Sequence, residues 1–209
     1  GVPSAVLAEA ASRIETAVGA LRYRGAGTIE MLMDEHGALW FMEMNTRLQV
    51  EHTITEEVTG VDLVEWQLRI AATEGLAGLD LSQAPGGHAI ECRINAEDPT
   101  LAFRPGPGTV RRLVLPEGEG VRVDTHLREG DRISPHYDSM FAKLITWGPD
   151  RQSAIHRMTD ALDTLEVEGI PTTAPLHRSI ITHPDFVAGA YDTRWLERCL
   201  PTLLGEEPA

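Results

Sequence analysis

Apolar positions recur at helical spacing over residues 4–21, where Val6, Leu7, Ala10, Ile14, Ala17, Val18 and Leu21 fall on one face. Ser4 is placed to cap this helix, and Gly25 and Gly27 break the pattern. Residues 28–33 and 38–45 then read as two strands around the turn cluster Asp34-Glu35-His36-Gly37, which predicts a β-hairpin. A polar connection through His52 leads to a second helix at Leu63. Asp62 and Glu65 have capping-box spacing at its start, and Gly75 stands at its end. Residues 75–87 are rich in Gly, Ser, Ala and Pro and form the predicted boundary. Beyond it, strands are predicted at 88–95, 109–115, 121–126 and 141–147, with helices at 151–165, 174–182 and about 193–199. This order predicts an α+β fold in two domains. Residues 1–80 hold helix, hairpin and helix, and residues 86–205 hold a β-rich module with closing helices.

Composition narrows the setting. The 209 residues carry a net charge of −14, which argues against nonspecific binding to nucleic acid or to an anionic membrane. Cys92 and Cys199 are far apart and lack CxxC spacing, so neither a disulfide framework nor a zinc site is expected, and a cytoplasmic setting fits. No apolar run reaches the roughly 18 residues of a membrane span. The opening Gly1-Val2-Pro3 lacks an initiator methionine, and the chain is therefore read as a fragment or a processed piece.

The hairpin carries the first candidate chemistry. Side chains alternate along a strand, so Glu43 and Asn45 share a face. With an even-numbered loop, Glu30 would oppose Phe41 and lie diagonal to Glu43. Glu30, Glu43 and Asn45 would then converge among Leu32 and Phe41. Ile29, Met31, Met33, Trp40, Met42 and Met44 would form the core face, with the methionines as packing rather than a sulfur metal site. Hard divalent cations take oxygen ligands, so the trio suits Mg²⁺. On spacing alone, a solvated strand face is an equally good reading. The same odd-numbered alternation continues to Arg47, Gln49 and Glu51, although the strand is expected to end near Asn45. Arg47 offers a planar fork for an anion, and Glu51 a carboxylate base. Taken alone, these two read as a surface ion pair.

Longer motifs decide among these readings. Gly25-Ala26-Gly27-Thr28-Ile29-Glu30 and the run Phe41-Met42-Glu43-Met44-Asn45-Thr46-Arg47-Leu48-Gln49-Val50-Glu51-His52 resemble the ATP-grasp core of biotin carboxylases. Gly87 through Pro99, with Glu91-Cys92-Arg93-Ile94-Asn95-Ala96-Glu97-Asp98 inside it, resembles the opening of that family's C-terminal domain. Tyr137-Asp138-Ser139-Met140 with Lys143-Leu144-Ile145 is a third match, and the resemblance extends to about Leu196.

The resemblance implies roles for individual residues. Glu30, Glu43 and Asn45 would ligate the Mg²⁺ or Mn²⁺ ions that bridge the ATP phosphates, and Leu32 would lie under the adenine. Arg47, Gln49 and the Val50 backbone N–H would hold bicarbonate, and Glu51 would deprotonate it. Arg93 would stabilise the enolate-like oxygen of biotin. The partners implied are a biotin carboxyl carrier protein or domain, a carboxyltransferase, and a second copy in a homodimer. The family also needs a glycine-rich lid and lysines over the phosphates. Lys143 is the only lysine here and lies in the later module. Residues 1–80 are accordingly read as an incomplete ATP-grasp half, inactive by itself.

Two other functions are weighed. Another ATP-grasp ligase, forming carbamoyl phosphate or joining a carboxylate to an amine, would share Glu43 and Asn45 but not the Arg93 motif. A non-catalytic assembly module is the alternative from outside enzymology. Among single residues, His88 and Cys92 are expected in core positions, and His52 is given a structural role. Asp138 is open between a pair with Arg93 and a surface turn. Pro105–Gly108 is turn chemistry rather than a phosphate loop.

Overall fold

The computed structural model describes residues 2–79 and 85–205, so part of the predicted linker, residues 80–84, lies outside the described residues. The chain falls into two compact units, Gly1–Ala84 and Pro85–Ala209.

Unit 1 opens with α1 (Ser4–Ala20). Pro3, not Ser4, occupies its N-cap, and the Pro3 carbonyl takes the first amides, those of Val6 and Leu7. Strands β1 (Thr28–Met33) and β2 (Leu39–Asn45) form the antiparallel hairpin. Its loop is set by Asp34. That carboxylate accepts the His36 and Ala38 amides, both at 2.9 Å, and the Trp40 indole N–H at 2.8 Å.

This loop corrects the predicted register. Five residues, Asp34 to Ala38, separate the strands, and a β-bulge falls between Glu30 and Met31. The odd-numbered loop moves the pairing by one position and the bulge by another. Glu30 therefore faces Glu43 directly, and Phe41 pairs with Met31 instead. Phe41 joins the face of Ile29 and Met44, while Trp40 pairs with Leu32 on the face of Glu30. The sequence assignment had these two aromatic residues the other way round.

The face of Ile29, Met31, Phe41 and Met44 lines an open groove of about 800 Å³ together with Ile14 and Val18 of α1. It is not a closed core, since Phe41 is 65% exposed. Met33 and Met42 are also exposed, so the predicted packing role fails for both.

Helix α2 (His52–Thr59) was not predicted. Its buried residues are Thr53 and Glu56, both polar, so hydrophobic periodicity carried no signal. It ends at Gly60, whose φ of +71° is the left-handed conformation that glycine adopts without strain. Helix α3 (Leu63–Ala71) follows, with the Asp62 carboxylate accepting the Glu65 amide at 2.7 Å. The Glu65 carboxylate pairs with Arg69, so only the Asp62 half of the predicted capping box forms. The helix stops before Thr73, short of the predicted Gly75.

Unit 2 runs β3 (His88–Asn95), β4 (Glu97–Asp98), β5 (Arg104–Pro105), β6 (Arg112–Val114), β7 (Val121–Thr125), β8 (Met140–Gly148), α4 (Arg151–Thr164), β9 (Glu166–Glu168), α5 (Ala174–Thr182), α6 (Pro184–Ala188) and α7 (Trp195–Leu203). Strands β3, β8 and β7 make an antiparallel sheet in that order, while β4 pairs with β5 and β6 with β9. The predicted strand at 109–115 shrinks to β6, α6 was not predicted, and α7 starts two residues late and runs on to Leu203.

Alternation divides the sheet into two faces. Cys92, Ile94 and Leu144 belong to the core, which α4 closes with Ala154, Ile155, Met158, Ala161 and Leu162. The other face carries Arg93, paired with Lys143, which in turn pairs with Asp124. Gly169, after β9, has a φ of +102°, and a Cβ there would collide with the Thr109 carbonyl oxygen. No helix among the described residues is long and apolar enough to cross a membrane.

Candidate active site

The hairpin register brings three oxygen-bearing side chains together. Glu30 and Glu43 are directly paired, and Thr28 pairs with Asn45, so all three polar residues share one face. The Asn45 amide donates to Glu30 Oε1 at 2.7 Å and to Glu43 Oε1 at 3.0 Å. Gln49 Nε2 donates to the same Glu30 oxygen at 2.9 Å. Two carboxylates directly opposite on a strand pair repel, so this surface favours donors or a cation between them. Two carboxylates and an amide are also the donor set of a hard divalent cation, and the chemistry of the residues present fits Mg²⁺ or Mn²⁺. Farther along the same face, Leu32 and Trp40 are 60% and 62% exposed, leaving an apolar surface beside the acidic one. Sequence reasoning placed Leu32 there but missed Trp40, because only the bulge and the odd loop put it on that face.

The segment after β2 is a turn, not a continued strand. Arg47 is exposed and donates from Nη1 to the Leu48 carbonyl at 3.1 Å. No other polar contact engages its guanidinium among the described residues, so most of its fork faces outward. Glu51 takes the N-cap of α2 and is exposed. Its carbonyl accepts the Ile54 amide at 3.1 Å. The Gln49 carbonyl accepts both the backbone amide of His52, at 3.3 Å, and the His52 ring Nδ1–H, at 2.8 Å. Gln49 thus joins the two parts of unit 1's site, with its side chain on the carboxylate face and its backbone in the turn.

Arg93 lies in unit 2. Its side chain is half exposed, and Nε is 3.9 Å from the Glu91 carboxylate, which is itself buried. The Arg93 carbonyl accepts from Thr173 Oγ1 at 3.2 Å and from His177 Nε2–H at 2.8 Å, so the end of α5 ties down this part of β3. Lys143 is committed to Asp124, 3.6 Å away. Burial by itself would raise the Asp124 carboxyl, but the Arg122 fork at 2.8 and 2.9 Å and the Lys143 ammonium outweigh it and hold it below its usual value. Asp138 accepts the Met140 amide at 2.8 Å in a surface turn, which settles its two readings in favour of the turn. Cys92 is a core residue as expected, and burial pushes its thiol up to about 12. His88 is half-buried, short of the core position expected for it.

Comparison with known proteins gives the class of each unit. Residues 4–79 match the family model of the carbamoyl-phosphate synthase L chain ATP-binding domain. Residues 91–198 match that of the biotin carboxylase C-terminal domain. The chain belongs to the biotin carboxylase family. A biotin carboxylase of Nostoc sp. is 50% identical over 85% of this chain and 40% of its own length. That of Haemophilus influenzae is 48% identical over 96% of this chain and 44% of its own length. The biotin carboxylase domain of Hydrogenobacter thermophilus 2-oxoglutarate carboxylase superposes with a TM-score of 0.88 and 45% identity, over 95% of this chain and 43% of that one. That structure is a dimer in complex with MgADP, ADP and bicarbonate. The chain spans about two fifths of the length of these relatives.

Proposed function

We propose that this chain carries the metal-, bicarbonate- and biotin-facing part of a biotin carboxylase, the enzyme that uses ATP and bicarbonate to carboxylate biotin on a carrier protein. Residues 1–80 are the C-terminal portion of its ATP-grasp domain, and residues 86–205 are its C-terminal domain. The observation that carries the reading is the joined set of Glu30, Glu43, Asn45 and Gln49, in a chain whose second unit matches the biotin carboxylase C-terminal domain.

The residues divide the work. Glu30, Glu43 and Asn45 would hold Mg²⁺ or Mn²⁺, which would supply neutralisation of charge on the ATP phosphates. Leu32 supplies an apolar platform for the adenine. Arg47, Gln49 and the Val50 N–H hold bicarbonate, and Glu51 takes its proton, since bicarbonate is a poor nucleophile until deprotonated. Its oxygen then attacks the γ-phosphorus to give carboxyphosphate and ADP. Breakdown of carboxyphosphate releases CO₂ and phosphate beside biotin, and the phosphate takes the ureido proton. The Arg93 guanidinium stabilises the ureido oxygen on which negative charge then grows, and the deprotonated ureido nitrogen attacks the released CO₂ to form carboxybiotin. A carboxyltransferase consumes the carboxybiotin, and a homodimer is the expected assembly.

The test uses the full-length protein that carries this chain. Arg93→Ala lowers biotin carboxylation by about 10²-fold or more while sparing most bicarbonate-dependent ATP cleavage, as expected when one oxyanion stabiliser is removed. Equal loss of both activities would overturn the Arg93 role. The 209 residues alone show no carboxylase activity, because Lys143 is tied to Asp124 and no other lysine is present to cover the phosphates. The match of unit 1 to a carbamoyl-phosphate synthase domain favours a second reading, a ligase that ignores biotin. Biotin-independent turnover of ATP to a carbamoyl or amide product would establish it.

A further inference from the structure

We infer that His52 and Glu56 are positioning residues that hold the turn from Arg47 to Glu51 in place for bicarbonate; this rests on the function proposed above. Neither residue belongs to the carboxylate face, and both act through Gln49.

The Gln49 carbonyl faces the His52 ring. A carbonyl oxygen only accepts, so the His52 ring nitrogen 2.8 Å away, Nδ1, carries the proton. That fixes the ring's orientation and turns Nε2 toward Glu56 Oε1, 3.9 Å away. Both side chains are largely withdrawn from solvent, at 17% exposed for His52 and 8% for Glu56. A buried carboxylate is costly unless it is partnered. Glu56 Oε1 accepts the Leu63 amide at 2.8 Å, at the first residue of α3. Glu56 thus holds the start of α3, its carboxylate lies beside the His52 ring, and that ring is tied to the backbone of Gln49.

Gln49 is held at its other end as well, because its side-chain amide donates to Glu30. Only Val50 and Glu51 lie between Gln49 and His52. These are the residues proposed to present an N–H to bicarbonate and to take its proton. The chain is pinned on both sides of them, by the carboxylate face and by the buried His52–Glu56 pair. Such a clamp matters because a shift of about 1 Å in a reacting group costs on the order of 10²-fold in rate. A brace that merely joins α2 to α3 would predict a different pattern of kinetic effects.

The experiment measures bicarbonate-dependent ATP cleavage in the full-length protein. His52→Ala raises the KM for bicarbonate by ~10-fold or more, with the KM for ATP within about twofold. His52→Asn keeps a side-chain N–H near the position of Nδ1 and restores the bicarbonate KM to within about threefold of wild type. Glu56→Gln retains an acceptor for Leu63 and removes the charge facing His52, and raises the bicarbonate KM several-fold. A parallel rise in both KM values, or an Asn variant no better than Ala, would show a structural brace and overturn the inference. Should His52→Ala fail to fold, an unchanged bicarbonate KM in Glu56→Gln overturns it. Wild-type ATP cleavage that ignores bicarbonate would instead sink the functional reading, and this inference with it.

Discussion

Glu30 takes two amide donors on one carboxylate oxygen, from Asn45 and Gln49, while Glu43 stands directly opposite. The identities of these residues were legible in the sequence, because oxygen-bearing side chains spaced two apart on a strand must share a face. Their hydrogen bonds were not, since the Gln49 contact spans a turn whose path no alternation rule describes. The cysteines show the same division. Their number and wide spacing argued against a disulfide framework, but only burial separates them. Cys92 sits in the core with its thiol pushed up to about 12, whereas Cys199 is partly exposed. A thiolate is the reactive form. One thiol is therefore expected to react with Ellman's reagent in the native protein and two after denaturation. Fast labelling of both in the native state would contradict the burial of Cys92.

Among the elements, the hairpin is the place where sequence reasoning went astray. Its two strands were correctly placed, but the pairing was assigned with an even-numbered loop and no bulge. Asp34 closes a five-residue loop through the Ala38 amide and the Trp40 indole, and a carboxylate's reach is not visible in hydrophobic alternation. Helix α2 escaped for a related reason. Its inward-facing residues are Thr53 and Glu56, so a pattern search for apolar spacing passes over it. In unit 2, the strands β3, β7 and β8 were found nearly to the residue, because β3 and β7 alternate between a core face and a polar face while β8 is a mostly apolar run interrupted by Lys143. Gly169 is a sharper test of that unit. Its positive φ and its approach to the Thr109 carbonyl leave no room for a side chain. Gly169→Ala is expected to destabilise unit 2 by about 1–3 kcal/mol, read from urea unfolding. An unchanged midpoint would mean that the β6–β9 pairing yields at no cost.

For the whole molecule, the two units differ in how much core each owns. Every buried hydrophobic side chain among the described residues belongs to unit 2. In unit 1 the buried residues are Thr53 and Glu56, while Phe41, Leu32 and Trp40 are more than half exposed. Burying a large apolar side chain is worth roughly 1.5–3 kcal/mol, so unit 2 holds the stabilising burial and unit 1 has little of its own. Residues 85–205 expressed alone are expected to melt cooperatively, and residues 1–79 alone to show no cooperative transition by calorimetry. A cooperative melt of the shorter piece would refute that assignment.

Stability should also depend on pH through His177. Burial pulls its pKa below 6.5 in the folded state, against the opposing hydrogen bond to the Arg93 carbonyl. Below about 6.5 the unfolded chain takes up the proton first, so this contribution is complete at neutral pH and is lost as pH falls toward the lower folded value. His177→Gln should flatten the decline in stability between neutral pH and pH 5, in denaturant titrations of residues 85–205. An equally steep decline in the variant would remove His177 from the account.

By itself, the sequence determined the α+β order, the strands of the second unit and the motifs that resemble a biotin carboxylase. All of these rest on local chemistry: side-chain alternation, turn residues, and residue types that sit close together in the chain. Tertiary structure alone decided which residues meet. It set Glu30 against Glu43, moved Trp40 to the site face, and locked Gln49 between Glu30 and the His52 ring. These outcomes depend on a loop closed by one aspartate, a single bulge and a buried His–Glu pair, and none of the three leaves a periodic trace along the chain.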